Sequence, residues 1–252
     1  MPTEFIDAYA HCGLSKYKPL SEVEQAMRKA SVDRAVLVQH LGEFDNCYLE
    51  QVVTGNPKKF SGVFLVDTES PQALEDLARR AETGAFRGVR LVLESLDSHP
   101  SLWHRSAELK LNLVVFVPHD ITHSFDPLQK FILDHPSTKI ILSHFGLGLE
   151  SQVEVFARQR DVYQLAKYDN VYFQVSGMHM FCEYPFDSMR ELVTQALTSF
   201  GPERMLWGGN YPVAGTDEDY AREAEFIRAG GFDIPPAAVV KITCDTAKTV
   251  WF

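Results

Sequence analysis

Cysteine is scarce: there are four in 252 residues, Cys12, Cys47, Cys182 and Cys244, and none forms a Cys-x-x-Cys pair. That spacing argues against a zinc ribbon or a disulfide framework and fits a reduced, cytoplasmic setting. Basic residues are also in short supply, 24 Lys and Arg against 34 Asp and Glu, giving a net charge of −10. With the charges scattered and no basic block, a phosphate backbone or an anionic bilayer surface is disfavoured as a partner. No apolar run is long enough to span a bilayer, and Met1-Pro2-Thr3-Glu4-Phe5 has neither the basic start nor the apolar centre of a signal peptide. A Gly-x-Gly-x-x-Gly turn is missing after the first strand, which weakens an open doubly wound sheet. There is no internal repeat and no low-complexity linker.

What is present is an alternation. Short apolar runs predict strands over 5–11, 34–39, 60–66, 86–93, 113–117, 139–143, 171–175 and 205–207. Helical patterns separate them. After the first strand, Ser21 and Glu24 have capping-box spacing, and Val23, Ala26, Met27 and Ala30 fall on one helical face. Ser70-Pro71 reads as another helix start, 150–167 as a long polar helix, and 216–229 and 237–251 as the closing helices. Eight strands, each followed by a helix over short links, predict an α/β fold, a single (β/α)8 TIM barrel over residues 1–252.

Such barrels place their chemistry at the C-terminal ends of the strands, here positions 9–11, 39–40, 90, 119, 144, 176–179 and 208–212. Strand alternation sets Asp7, Tyr9 and His11 on one inward face, with His11 at the mouth. His11 and His144, distant in sequence, are expected to meet there as a functional pair. Arg90 offers a guanidinium fork to a substrate carboxylate, or else pairs with a neighbouring acid. His119, in Val117-Pro118-His119-Asp120, could complete a three-histidine zinc site with His11 and His144, or lie on the following loop. His179 sits on a loop that could fold over the mouth and serve as a proton donor. Asp7, one pleat deeper, is either a proton acceptor or a structural carboxylate. His99, His104, His123 and His135 read as bystanders, and Trp103 and Trp207 as core.

Several strand ends carry a resemblance. Asp7-Ala8-Tyr9-Ala10-His11 resembles the Asp-x-His-x-His opening of the amidohydrolase superfamily, with Tyr9 where the first metal-ligating histidine stands. Val36-Leu37-Val38-Gln39 with Asp45-Asn46-Cys47-Tyr48-Leu49, Phe86-Arg87-Gly88-Val89-Arg90 and Ile140-Ile141-Leu142-Ser143-His144-Phe145-Gly146 resemble second-, fourth- and sixth-strand motifs of its amidohydrolase-2 group. Arg204-Met205-Leu206-Trp207-Gly208-Gly209-Asn210-Tyr211-Pro212 is similar to the eighth-strand motif, with Asn210 in place of an aspartate. That group includes sugar-lactone and dicarboxy-lactone hydrolases and related decarboxylases.

The resemblance implies a hydrolase with a degraded metal site. A neutral amide and a phenol are poor substitutes for ionisable ligands at neutral pH. The expected function is a metal-independent hydrolase, or isomerase, of a small carboxylated lactone or similar cyclic ester. A histidine general base acts there with His11, His144, Tyr9 and Asn210 as the catalytic set and Arg90, His119 and His179 at the substrate. One alternative is a mononuclear zinc hydrolase or decarboxylase on His11, His119 and His144. The other is a barrel that binds without catalysis. The partner expected is a small molecule; homo-oligomerisation carries no sequence marker.

Overall fold

The computed structural model describes residues 4–119, 121–148, 160–213 and 215–252. Eight strands form one parallel sheet in the order of the chain: β1 Ile6–Ala10, β2 Arg34–Val38, β3 Phe60–Leu65, β4 Phe86–Val92, β5 Asn112–Phe116, β6 Ile140–Leu142, β7 Val171–Ser176 and β8 Met205–Gly208. Helices intervene at α1 Leu20–Lys29, α2 Cys47–Gly55, α3 Ala73–Glu82, α4 Ser95–Ser98, α5 Pro100–Glu108 and α6 Phe125–Asp134. They continue with α7 Arg160–Gln164, α8 Arg190–Phe200, α9 Asp217–Arg228, α10 Pro236–Val240 and α11 Thr246–Trp251. The architecture is the expected α/β barrel. Its seam closes just beyond the strands, where Asn210 N donates to Tyr9 O at 2.7 Å and His11 N donates to Tyr211 O at 2.8 Å.

The core has two layers because every strand alternates. Val36, Val38, Val63, Val114, Ile141 and Leu206 fill the barrel, and Ala247, Val250 and Trp251 of α11 belong to the same cluster. The opposite strand faces, among them Leu37, Phe64, Leu113 and Trp207, pack against the helices.

Three local expectations are corrected. The pairing of β1 with β2 shifts register between Asp7 and Ala10, so Ala8 and Tyr9 both join the inner cluster. A bulge inserts one residue into the pleat and reverses the alternation beyond it. Asp7 consequently does not share the face of Tyr9 and His11: it accepts a hydrogen bond from the Tyr220 hydroxyl of α9, 2.7 Å away. The helix α1 begins at Leu20 behind Pro19 with no side-chain cap, and Glu24 pairs with Lys59 instead. Helix α3 begins at Ala73, since Ser70 spends its hydroxyl in a turn with Gln72. The capping box that does form is Thr216 with Asp219, opening α9. Of the long helix expected over 150–167, residues 150–159 lie outside the described residues; the rest is α7 and a 3-10 turn over Leu165–Lys167.

Candidate active site

The strand ends deliver five side chains to one buried cluster. Tyr9 comes from the bulged end of β1, and His11 follows immediately. The rings of Tyr9 and His11 lie 5.3 Å apart, and those of Tyr9 and His144 4.6 Å. His144 opens a 3-10 turn over His144–Gly146 directly after β6, with φ at 51°. A left-handed conformation costs a residue with a side chain about 1 kcal/mol, and here it turns the imidazole back over the barrel. Asn210, after β8, has the same φ of 51°, a conformation asparagine tolerates better than most. Arg90 projects inward from β4, its guanidinium carbon 5.8 Å from the Tyr9 ring and 4.9 Å from the Phe116 ring.

Hydrogen bonds settle the tautomers. His11 Nδ1 lies 2.6 Å from the Val38 carbonyl oxygen, which can only accept, so Nδ1 carries the proton. The Nε2 of that ring is then a lone pair. It faces Asn210 Oδ1 at 3.1 Å, while Asn210 Nδ2 points to Met180 Sδ at 2.7 Å. Two acceptors do not bond, and turning the amide over about its last torsion, which exchanges O and N, brings an N–H to the His11 lone pair. For His144, Nδ1 lies 3.0 Å from the Ser176 hydroxyl, which can donate or accept, and 3.3 Å from the Ser176 carbonyl oxygen, which can only accept. A proton on Nδ1 serves both contacts, and we assign that tautomer, with Nε2 as the basic nitrogen. The Ser176 hydroxyl accepts from the His144 main-chain N–H at 3.1 Å and holds the turn in place.

The electrostatics follow from burial and from Arg90. Burial, then the guanidinium, pushes His144 down to about 3 and His11 well below the ordinary imidazole range. Burial raises the Tyr9 phenol, with Arg90 opposing. At neutral pH both rings are therefore uncharged bases and Tyr9 is a neutral donor. Arg90 is 5 % exposed, and among the described residues its Nη1 donates to the Gln39 carbonyl oxygen at 3.3 Å. Among the described residues its Nε is buried without a hydrogen-bond partner, and the Tyr9 hydroxyl has Ser143 beside it but no hydrogen bond of good geometry. Among the described residues no carboxylate pairs with Arg90.

Two expected residues lie apart from the cluster. His119 follows β5 on the link and is exposed. The His179 ring is taken by Glu223 of α9, with Nδ1 2.9 Å from Oε2, and packs edge-on against Phe186. The buried Glu223, which also accepts from Trp207 Nε1 at 3.2 Å, captures that imidazole in the layer behind β8. Residues not singled out beforehand join the site instead. Tyr17, on the loop after β1, stacks on His11 with centroids 4.7 Å apart, and His40 meets Tyr17 edge-on at 4.6 Å. His40 stood at a strand-end position, a signal that was available; Tyr17 sits mid-loop and had none.

A family model described as amidohydrolase matches residues 8–252. The chain belongs to the amidohydrolase family. Among its amidohydrolase relatives, an L-fucono-1,5-lactonase of Burkholderia ambifaria is 27 % identical over 205 residues, covering 77 % of this chain and 69 % of the relative. Two solved structures share the fold. One is a Pseudomonas putida protein provisionally assigned as a 2-pyrone-4,6-dicarboxylic acid hydrolase: 21 % identity, TM-score 0.76, covering 99 % of this chain and 98 % of that one. The other is an amidohydrolase of Burkholderia multivorans with bound zinc: 19 % identity, TM-score 0.77, covering 98 % of each chain.

The donors that the described residues of this amidohydrolase present do not fit such an ion. Among the described residues no three of His, Cys, Asp and Glu come together in a way that could hold a metal, so His11, His119 and His144 do not form the three-histidine site. The Asn210 side-chain amide stands 3.1 Å from the Nε2 of His11, where an ion would have to sit, and the field of the Arg90 guanidinium lowers the proton affinity of both rings. The same field opposes a second cation. Among the described residues, no helix is long and apolar enough to cross a membrane.

Proposed function

We propose that this amidohydrolase opens a small lactone, or a similar cyclic ester, that carries a carboxylate, without a metal ion. The observation that carries the reading is Arg90, a buried guanidinium with an orphaned Nε and, among the described residues, no acidic partner. A buried charge left unpaired costs several kcal/mol. A substrate carboxylate on the Nε edge offsets that cost with a two-pronged, charge-assisted pair. Kinship with a lactonase supports the ester-like bond.

Seating the anion also changes the bases. The guanidinium field lowers the proton affinity of His11 and His144, and a bound carboxylate cancels much of it, so the imidazoles become stronger bases when substrate is present. His144 is the better general base, because its Nε2 is the unprotonated nitrogen while that of His11 is engaged by Asn210. It takes a proton from water as the hydroxide oxygen adds to the ring carbonyl, and returns it to the leaving alkoxide or enolate when the ring C–O bond breaks. The neutral Tyr9 hydroxyl supplies a hydrogen bond to the oxyanion, with the Asn210 amide holding His11 beside it. General-base help is worth about 10² to 10⁴-fold in rate, enough for a lactone and too little for an unactivated amide.

The test is a panel of carboxylated and uncarboxylated lactones, assayed with chelator. Turnover of carboxylated members persists in the chelator, Arg90→Met raises KM selectively for them, and His144→Ala lowers kcat by about 10² or more. Turnover that chelation abolishes, or that survives His144→Ala intact, refutes the proposal. Binding of the carboxylated compounds without turnover replaces the enzyme with the binding-protein alternative.

A further inference from the structure

Behind the pocket lies a second polar layer that the proposed chemistry does not use. Asp7 is fully buried between β1, β8 and α9. Its Oδ1 accepts from the main-chain N–H of Tyr9 and of Gly209, both at 2.9 Å, and its Oδ2 accepts from the Tyr220 hydroxyl at 2.7 Å. One carboxylate therefore holds the chain at the residue carrying the phenol and at the neighbour of Asn210, and anchors both to a helix. The packing admits little slack. A Cβ on Gly209 would lie 2.3 Å from Tyr220 Cε2 and 3.3 Å from Asp7 Oδ2, and one on Gly208 would lie 2.5 Å from the Tyr9 Cβ. This is also where regular strand pairing gives out. The chain after β8 is joined to the end of β1 by the Asn210–Tyr9 and His11–Tyr211 main-chain bonds, and Gln174 of β7 reaches across to donate from Nε2 to Ala8 O at 3.0 Å.

We propose that Asp7 is a positioning residue: its carboxylate clamps the β1–β8 seam to α9 so that Tyr9, His11 and Asn210 meet in one pocket. The role is geometric. Two main-chain donors converge on a single oxygen, and the bulge that turns Asp7 away from the barrel is what frees Tyr9 to point into it. Any group presenting an acceptor oxygen at the Oδ1 position keeps the clamp, and a hydrocarbon of the same size releases it.

Asp7→Asn, Asp7→Leu and Tyr220→Phe separate this role from simple stability. In Asp7→Leu, the Tyr9 and Gly209 amides exchange with solvent about 10-fold or more faster relative to other β-strand amides, and the His11 imidazole ¹⁵N signals move. Asp7→Asn retains both. On the lactone substrates Asp7→Leu lowers kcat by about 10² with little change in KM, as a displacement near 1 Å can, and Asp7→Asn recovers most of it. If Asp7→Leu does not fold, Tyr220→Phe decides the matter: it frees Oδ2 and speeds exchange at the same two amides. Unchanged exchange and unchanged His11 signals in a folded Asp7→Leu or in Tyr220→Phe overturn the proposal, as does an Asp7→Asn as defective as Asp7→Leu. The kinetic arm rests on the lactonase reading; the exchange and imidazole arms do not, so failure of one is distinguishable from failure of the other.

Discussion

Asn210→Asp tests the central hydrogen bond of the site. The substitution is isosteric and places a carboxylate 3.1 Å from His11 Nε2 at a position 2 % exposed. Unpaired, an ionised carboxylate there would cost several kcal/mol. Paired with an imidazolium, it gains: two unit charges about 3 Å apart attract by about 5 kcal/mol at an effective dielectric constant near 20. That corresponds to about 4 units of added preference for the charged ring. It opposes the burial and the Arg90 repulsion that hold His11 neutral in the parent. The expected outcome is an imidazolium at position 11 near pH 6 in the variant and a neutral ring in the parent, read by imidazole ¹⁵N NMR. The sign is that of a raised pKa. Stability from the pair is full below the ordinary histidine value and is lost as pH rises through the new one. The new ion pair also places a charged imidazole beside Tyr9 and removes the amide that holds His11, so kcat on a lactone falls, by about 10² on the scale of a displaced catalytic group. A folded variant whose His11 remains neutral near pH 6 refutes the reasoning, because it would mean that the two side chains do not share the contact.

Further outcomes follow from the same geometry. Because Tyr9 stands beside both imidazoles, metal analysis should find no added zinc in Asn210→Asp alone and about one equivalent in Tyr9→His/Asn210→Asp, three imidazoles and a carboxylate being a complete donor set; stoichiometric zinc in the single variant contradicts this. Burial lifts Asp7 from 3.8 to about 7, so its share of stability is full below the unfolded value and lost as pH rises through the folded one. The difference in unfolding free energy between parent and Asp7→Asn therefore moves in favour of the variant by up to about 4 kcal/mol as pH rises from about 4 to about 8. Parallel urea curves across that range would deny the shift. Gly208→Ala forces a methyl to 2.5 Å from the Tyr9 Cβ and 2.9 Å from its main-chain nitrogen. The cost is about 1–3 kcal/mol by urea unfolding, and a variant as stable as the parent shows that the seam is looser than this.

Much of the molecule is local pattern and was therefore legible. The alternation of short apolar runs with helical periodicity is a property of consecutive residues, and it led to eight strands in chain order. Since barrel strands all run the same way, the ends of those runs also marked the mouth, which is why Tyr9, His11, Arg90, His144 and Asn210 were found together before any geometry was known. Helix starts fared less well. Ser21 and Glu24 had the spacing of a cap but the chain entered α1 two residues earlier, and Lys59 took the glutamate. Capping is decided by the entry angle of the chain and by what else competes for the side chain.

From the sequence alone come the parallel barrel and the identity of the strand-end residues, since each depends on neighbours along the chain, and the resemblance to the amidohydrolase motifs marks Tyr9 and Asn210 as the positions where this chain departs from them. Only the tertiary structure decided which way those residues face and what they touch. The bulge in β1 that sends Asp7 to Tyr220 and Tyr9 inward is set by the meeting of β1 with β2 and of the seam with α9. The pairing of His11 with Asn210 joins residues 199 positions apart, the capture of His179 by Glu223 joins two more elements, and the lack of an acid beside Arg90 among the described residues depends on what packs around it. Pleat and periodicity act over a few residues, whereas contacts between elements are fixed by packing that no single stretch of chain contains.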